Sequence, residues 1–282
     1  MGLRDISITV RRRCAYTATS TLIAAGIILG TPTAAPALPF LDLIFRGIQV
    51  IQLSSMSDRQ EVRLGGQINE QLTGQMTLYR DADINRYVDQ IGQRLVPHSA
   101  RPDIPYTFQV VRDDSVNAFA TMGGYVYVTT GLIRAADNEA QLASVISHEI
   151  AHIAGRHAVE QMRETAIARG LMTAAGVDQS ALANIGVELA LRRPNSRGDE
   201  READMLGLAN LTTAGYAPSA MPAFMAKLIS RSSTPAFLST HPSAGSRVQD
   251  LNAAIDPATA NVGDGLNDTA YRSRIRNVPS AS

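Results

Sequence analysis

His148-Glu149-Ile150-Ala151-His152, a HExxH stretch, sits inside a long helical pattern, and the rest of the chain is read outward from it. An α-helix turns about 100° per residue, so positions four apart lie within about 40° of each other. His148 and His152 therefore present their imidazoles to one point, as two of the three protein ligands of an open zinc site do. Glu149 lies roughly 100° round the helix from His148, within reach of a water there without being a ligand itself. A carboxylate so placed takes a proton from an attacking water and later passes it to a leaving amine. The plainer reading is a helix that happens to carry two histidines and a surface glutamate. It fares badly, because Leu142, Val145, Ile146, Ile150 and Ile153 surround the motif. Three ionisable groups in such a helix are costly to bury without a metal or partners.

A third ligand is needed. Gly155 stands where HExxHxxGxxH zinc proteases have their glycine, but the third histidine of that pattern falls on Ala158. If the helix continues, His157 points about 140° away from His152 and is a packing or surface residue. Glu200-Arg201-Glu202-Ala203-Asp204 offers a better candidate. Glu200 and Asp204 share a helical face, so Glu200 can bind the metal while Asp204 accepts a hydrogen bond from a ligand histidine and fixes its tautomer. Taken alone, the same stretch reads as an acidic helix start, where carboxylates favour the N-terminal dipole.

HExxH followed by Glu-x-x-Ala-Asp some fifty residues later resembles the gluzincin family that contains CAAX prenyl proteases, HtpX, BepA and the Oma-type proteases. The flanking stretches agree: Asn117-Ala118-Phe119-Ala120 before Gly123-Gly124-Tyr125-Val126-Tyr127-Val128, Thr130-Gly131-Leu132, Ser196-Arg197, Ala214-Gly215-Tyr216, and Thr240-His241-Pro242 with Arg247. The likeness runs from about Ser57 to about Leu251. It implies an α+β, mainly α-helical zinc metallopeptidase with a small, partly antiparallel sheet and one zinc per chain. By the family's pattern Glu200, not Glu202, binds zinc beside His148 and His152. It also implies an exposed strand at Asn117, Ala118 and Phe119 along which extended substrate lies, pairing by main-chain hydrogen bonds. His241 reads as an ordinary turn residue by itself, since Pro242 restricts it to extended conformations. The resemblance puts it near the zinc, as a latch on the open position or as a donor to the oxyanion.

Residues 1–37 read as an export signal. Arg4 and Arg11-Arg12-Arg13 precede an apolar run from Ala15 to Gly30, and Ala35-Pro36-Ala37 fits a cleavage site. An uncut membrane anchor is the alternative. Removing this segment takes four arginines, one aspartate and the single cysteine, and leaves a net charge of −3. A nucleic-acid partner thus has no electrostatic support, and no disulfide is needed in an oxidising compartment. The expected location is the bacterial periplasm. Residues 38–56 form an amphipathic stripe of Leu41, Ile44, Phe45, Ile48 and Ile51, which could dock on the domain, touch a membrane surface or bind a partner.

The catalytic domain is expected over 57–255. Helices are expected from Ser57 to about Gln71, from Ala82 to Leu95, from Asn138 through about Glu164, from Glu200 to Ala214 and from Pro222 to Arg231. A strand is expected over Tyr106–Arg112, and a hairpin over Val116–Thr121 and Tyr125–Thr130. Ala166 to Leu191 reads as two short helices near the site, a lid among the alternatives. Residues 256–282, rich in Ala, Asn, Gly and Asp, have little to bury and are expected to be disordered. The expected activity is periplasmic zinc endopeptidase, acting on misfolded or misassembled envelope proteins. The rival is a non-catalytic, chaperone-like or scaffold protein that retains the fold.

Overall fold

The computed structural model describes residues 56–170, 179–192, 194–242 and 244–279. The export signal (1–37) and the amphipathic stripe as far as residue 55 lie outside them. In chain order come α1 (Asp58–Gln75), α2 (Ala82–Leu95), β1 (Thr107–Val111), β2 (Ala118–Thr121), β3 (Tyr125–Thr129), α3 (Thr130–Ala135), α4 (Glu139–Ala154) and α5 (His157–Ala168). They are followed by α6 (Gln179–Arg192), α7 (Arg197–Thr213), α8 (Ala220–Ile229), α9 (Ala236–Thr240), α10 (Ala244–Ala254) and α11 (Asp268–Arg274). No helix among the described residues is long and apolar enough to cross a membrane.

Local chemistry accounts for most of the helix starts. The Ser57 N–H donates to Gln60 Oε1 at 2.9 Å, and Asp81 accepts from the N–H groups of Asp83 and Ile84. Asn138 accepts from Gln141 N at 3.0 Å to start the HExxH helix α4. Ser196 and Asp199 exchange hydrogen bonds at the start of α7. Each such cap occupies backbone donors that the first helical turn leaves orphaned.

The sheet runs β1-β3-β2, with β3 parallel to β1 and antiparallel to β2. The central strand β3 alternates between two hydrophobic cores. Val126 and Val128 face a large core with α2, α4 and α8, while Tyr127 faces a second core built from α1, α5 and α6. All three are fully buried, as a strand covered on both faces requires.

Two expectations fail. The HExxH helix does not continue to Glu164: it ends at Ala154, and Arg156 adopts a left-handed conformation (φ 57°, ψ 28°) before α5 begins at His157. That conformation costs a residue with a side chain about 1–2 kcal/mol. Arg156 is held there by Glu61 Oε2 at 3.2 Å and by the Met56 carbonyl at 2.5 Å.

Residues 257–279, expected to be disordered, are ordered. Their backbone bonds to the loop after α7, with Asp264 N donating to Gly215 O at 2.8 Å and Ala217 N to Asp264 O at 3.2 Å. Tyr271, Ile275 and Val278, spaced four and three apart, bury their side chains in the large core. The Tyr271 hydroxyl donates to the Ile133 carbonyl at 2.6 Å. Few apolar residues suffice because they recur on one side.

Tyr271→Ala removes a fully buried aromatic ring and its hydrogen bond. It is expected to destabilise the fold by about 3–5 kcal/mol in urea unfolding, the usual cost of deleting a core aromatic. A loss below about 1 kcal/mol would show that the tail is not part of the core.

Candidate active site

Two helices build the site. On α4, His148 and His152 share a face and lie 2% and 6% exposed. On α7, Glu200 faces both: its Oε1 lies 3.3 Å from His152 Nε2 and its Oε2 lies 3.6 Å from His148 Nε2. The two histidine Nε2 atoms are 3.1 Å apart. A fourth donor comes from the loop after α9, where His241 Nδ1 lies 3.3 Å from His148 Nε2 and 3.0 Å from Glu200 Oε1. Tetrahedral zinc with bonds of about 2.0–2.1 Å sets its ligand atoms about 3.3–3.5 Å apart. The observed separations cluster round that value, so the donor set fits a zinc ion.

Charge points the same way. Glu149, Glu200 and Asp204 are buried carboxylates, and Arg247 is the buried guanidinium that faces them. Arg247 grips Asp204 through two bonds of 2.6 and 2.7 Å and also donates to Glu200. The carboxylates outnumber the guanidinium, and the surplus draws positive charge to the site, as a proton on His148 or as a bound cation. Burial would lower the His148 pKa, but Asp204 and Glu200 push it up to about 9. Burial drives His152 down to about 3 despite Glu200. Burial would raise the Glu200 carboxyl, but His241, His148 and His152 hold it far below the carboxylate range. The Glu149 pKa is raised, chiefly by burial, and Glu149 Oε1 is buried without a hydrogen-bond partner, 3.5 Å from His241 Nε2.

The sequence-derived residues thus largely converge. Asp204 Oδ1 lies 3.1 Å from His148 Nδ1, the ring nitrogen turned away from the donor cluster. Glu202 is 59% exposed and stands apart from the cluster. Asp199, next to Glu200, serves as the helix cap instead. On the edge strand β2, Phe119 stacks on Tyr127 at 4.6 Å, and Ala118 is buried. Asn117 precedes the strand, its N–H donating to Thr129 Oγ1. Phe119, Ala120 and Thr121 line a largely apolar cavity that opens on Glu149, His152 and His241.

Three participants were not assigned a role from sequence. Arg247 stood only as part of a motif. Asn195 donates to Glu200 Oε1 at 2.8 Å and accepts from Gln161 at 2.8 Å. A lone asparagine in an Arg/Pro/Ser loop carries no periodic signal. The third is His157, which does not point away but meets His152, Nδ1 to Nδ1, at 2.8 Å.

Residues 82–255 match the family model described as Peptidase family M48. The chain belongs to peptidase family M48. This M48 chain is 33% identical over 238 residues to a putative beta-barrel assembly-enhancing protease of Vibrio cholerae, covering 77% of this chain and 49% of that protein. It is 35% identical over 214 residues to the beta-barrel assembly-enhancing protease of Escherichia coli K12, covering 70% and 44%. A mitochondrial metalloendopeptidase OMA1 of Schizosaccharomyces pombe is 31% identical over 172 residues, covering 58% and 51%. The chain spans about half the length of the curated relatives it matches.

The geometry predicts a sharp contrast between neighbours on α7. Elemental analysis should find that Glu200→Ala loses or greatly weakens metal binding, whereas Glu202→Ala keeps the full complement. Asp204→Ala should weaken metal affinity by roughly 10–100-fold, as loss of a ligand's supporting carboxylate does. The reverse order for Glu200 and Glu202 would refute the ligand set.

Proposed function

We propose that this M48 chain is an exported, zinc-dependent endopeptidase that hydrolyses peptide bonds in misfolded or misassembled proteins of the cell envelope. The observation that carries the reading is a buried carboxylate, Glu149 Oε1, left without a hydrogen-bond partner beside four converging donors. His148, His152 and Glu200 hold the zinc, which when bound polarises the scissile carbonyl and acidifies water. Glu149 takes the proton as the water oxygen bonds to the carbonyl carbon. It then delivers that proton to the amide nitrogen as the carbon–nitrogen bond breaks. Burial raises the Glu149 pKa, which makes its carboxylate a stronger base for the first step and lets the carboxyl keep that proton until the second.

Asp204 Oδ1, 3.1 Å from His148 Nδ1, is the charged neighbour that favours a proton on that nitrogen, and Arg247 holds Asp204 and Glu200 in place. Extended substrate pairs with β2 at Asn117, Ala118 and Phe119, adding a strand to the sheet edge. The cavity lined by Ile68, Phe119, Met122, Val159 and Leu189 receives an apolar side chain. Relatives named for enhancing β-barrel assembly, together with the basic start and Ala35-Pro36-Ala37 site of residues 1–37, support envelope substrates met in the periplasm.

His241 fills the fourth vertex of the donor set, and its other ring nitrogen faces Glu149. A side chain between the ligands and the base blocks both water and carbonyl, so His241 acts as a latch that substrate displaces. Arg247 steadies the latch by donating to the His241 and Pro242 carbonyls at 3.3 and 3.4 Å.

Two measurements test the reading. Glu149→Gln should keep its zinc while cleavage of an unfolded protein such as casein falls by about 10²–10⁴-fold, as loss of a general base does. A chelator should abolish the wild-type activity and zinc restore it; undiminished turnover by Glu149→Gln would reject Glu149 as the base, and a wild type with no zinc-dependent cleavage would leave the non-catalytic rival standing. His241→Ala, with zinc still bound, should raise basal cleavage. A fall of about 10²–10³-fold in kcat at unchanged KM would instead assign His241 to the oxyanion.

A further inference from the structure

The two ligand histidines are supported differently. His148 has a carboxylate, Asp204, at Nδ1. His152 has no carboxylate there; its Nδ1 meets His157 Nδ1 at 2.8 Å, with both rings buried. The chain makes this contact only by giving up its helix. In a continuous helix residue 157 would point about 140° away from residue 152. Instead Arg156 turns left-handed, the only non-glycine residue among those described with a positive φ. Gly155 leaves room for the returning ring, since a Cβ there would stand 2.5 Å from His157 Nε2. Glu61 and the Met56 carbonyl pin Arg156 from the α1 side, and Glu61 is itself paired with Arg101 at 3.0 Å. Backbone strain that is built and then braced points to a function for what it positions.

We infer that His157 is a positioning residue for His152, its Nδ1 accepting the Nδ1–H of His152 so that His152 Nε2 faces the other donors with a free lone pair. This rests on the zinc site proposed above. The tautomers follow: an imidazole that ligates through Nε2 carries its proton on Nδ1, so the partner nitrogen must be an acceptor. His157 then holds its own proton on Nε2, which faces Glu202 Oε2 at 3.5 Å. The second ligand is thereby oriented by a histidine where the first is oriented by a carboxylate. Edge-to-face packing of the two rings, 5.0 Å between centroids, is the competing account.

The test compares His157→Asn, His157→Phe and Gly155→Ala in the full chain. Zinc affinity is read by chelator competition, and kcat and KM are measured on an unfolded substrate. Asn keeps an acceptor oxygen near the Nδ1 position, Phe keeps only the ring, and Gly155→Ala displaces His157 without altering it. Expected are roughly 10–100-fold weaker zinc binding and a lower kcat at unchanged KM for His157→Phe and Gly155→Ala. His157→Asn should bind zinc nearly as the parent does. Parental zinc affinity in His157→Phe, or His157→Asn as weak as His157→Phe, overturns the inference in favour of packing. Should His157→Phe fail to fold, the other two decide: the inference stands if His157→Asn binds like the parent and Gly155→Ala does not, and falls otherwise. A parent chain that binds no zinc would remove the proposed function as well, whereas normal parental binding with unaffected variants removes only this role for His157.

Discussion

The site depends on how closely two helix backbones approach. Gly207 on α7 lies against α4 so tightly that a Cβ there would stand 3.1 Å from His148 Cα and 3.3 Å from the Ser147 carbonyl. Ser147 Oγ seals the contact by donating to the Gly207 carbonyl at 2.8 Å. With the axes drawn together, Glu200 and Asp204, four residues apart on one face of α7, meet the two faces of the His148 ring nitrogens. A wider separation would leave short carboxylates unable to reach the histidines. Arg247 can then bridge Asp204 and Glu200 from α10, and its carbonyl contacts carry His241 to the remaining vertex. Removing one partner of such a buried set leaves uncompensated charge, which typically costs about 3–5 kcal/mol.

The donor cluster lies at the seam of two cores. Ile146, Ile150 and Ile153 on α4 belong to one, while Phe119, Met122, Val159 and Leu189 belong to the other. The cavity beside Glu149 is lined from both sides. Apolar walls lower the local dielectric, so the few charges that remain there act more strongly on one another than they would in water. Burial of Glu149 among them is the reason its pKa rises.

What could be read from the sequence was what local rules encode. The helix starts at Ser57 and Asn138, the strand and hairpin of the sheet and the i, i+4 spacing of His148 with His152 and of Glu200 with Asp204 all appear as expected, whereas the start of α7 at Arg197, capped by Ser196, comes three residues before Glu200. The break after Ala154 did not, because Ala-Gly-Arg-His is compatible with a continuing helix and the left-handed residue is an arginine. Its conformation is decided by Glu61 and Met56, about a hundred positions upstream. With the helix extended in error, His157 was rotated away from His152. The tail misled for a related reason: its composition is polar, yet Tyr271, Ile275 and Val278 share one side, and its backbone partners are remote. Arg247 and Asn195 act through tertiary proximity, which neither composition nor periodicity records.

Residues 257–279 also bear on how the site is assembled. Gly265 O accepts from Ala140 N at 3.0 Å, and Asp268 accepts from Asn138, 130 residues earlier, so the tail completes the first turn of the helix that carries HExxH. Contacts of that sequence separation form only after a large loop has closed. A chain emerging from its N-terminus would hold His148 and His152 long before it held residues 265 and 268, which help to seat their helix. A chain that has not yet docked residues 257–279 therefore lacks part of the frame that seats the helix of His148 and His152.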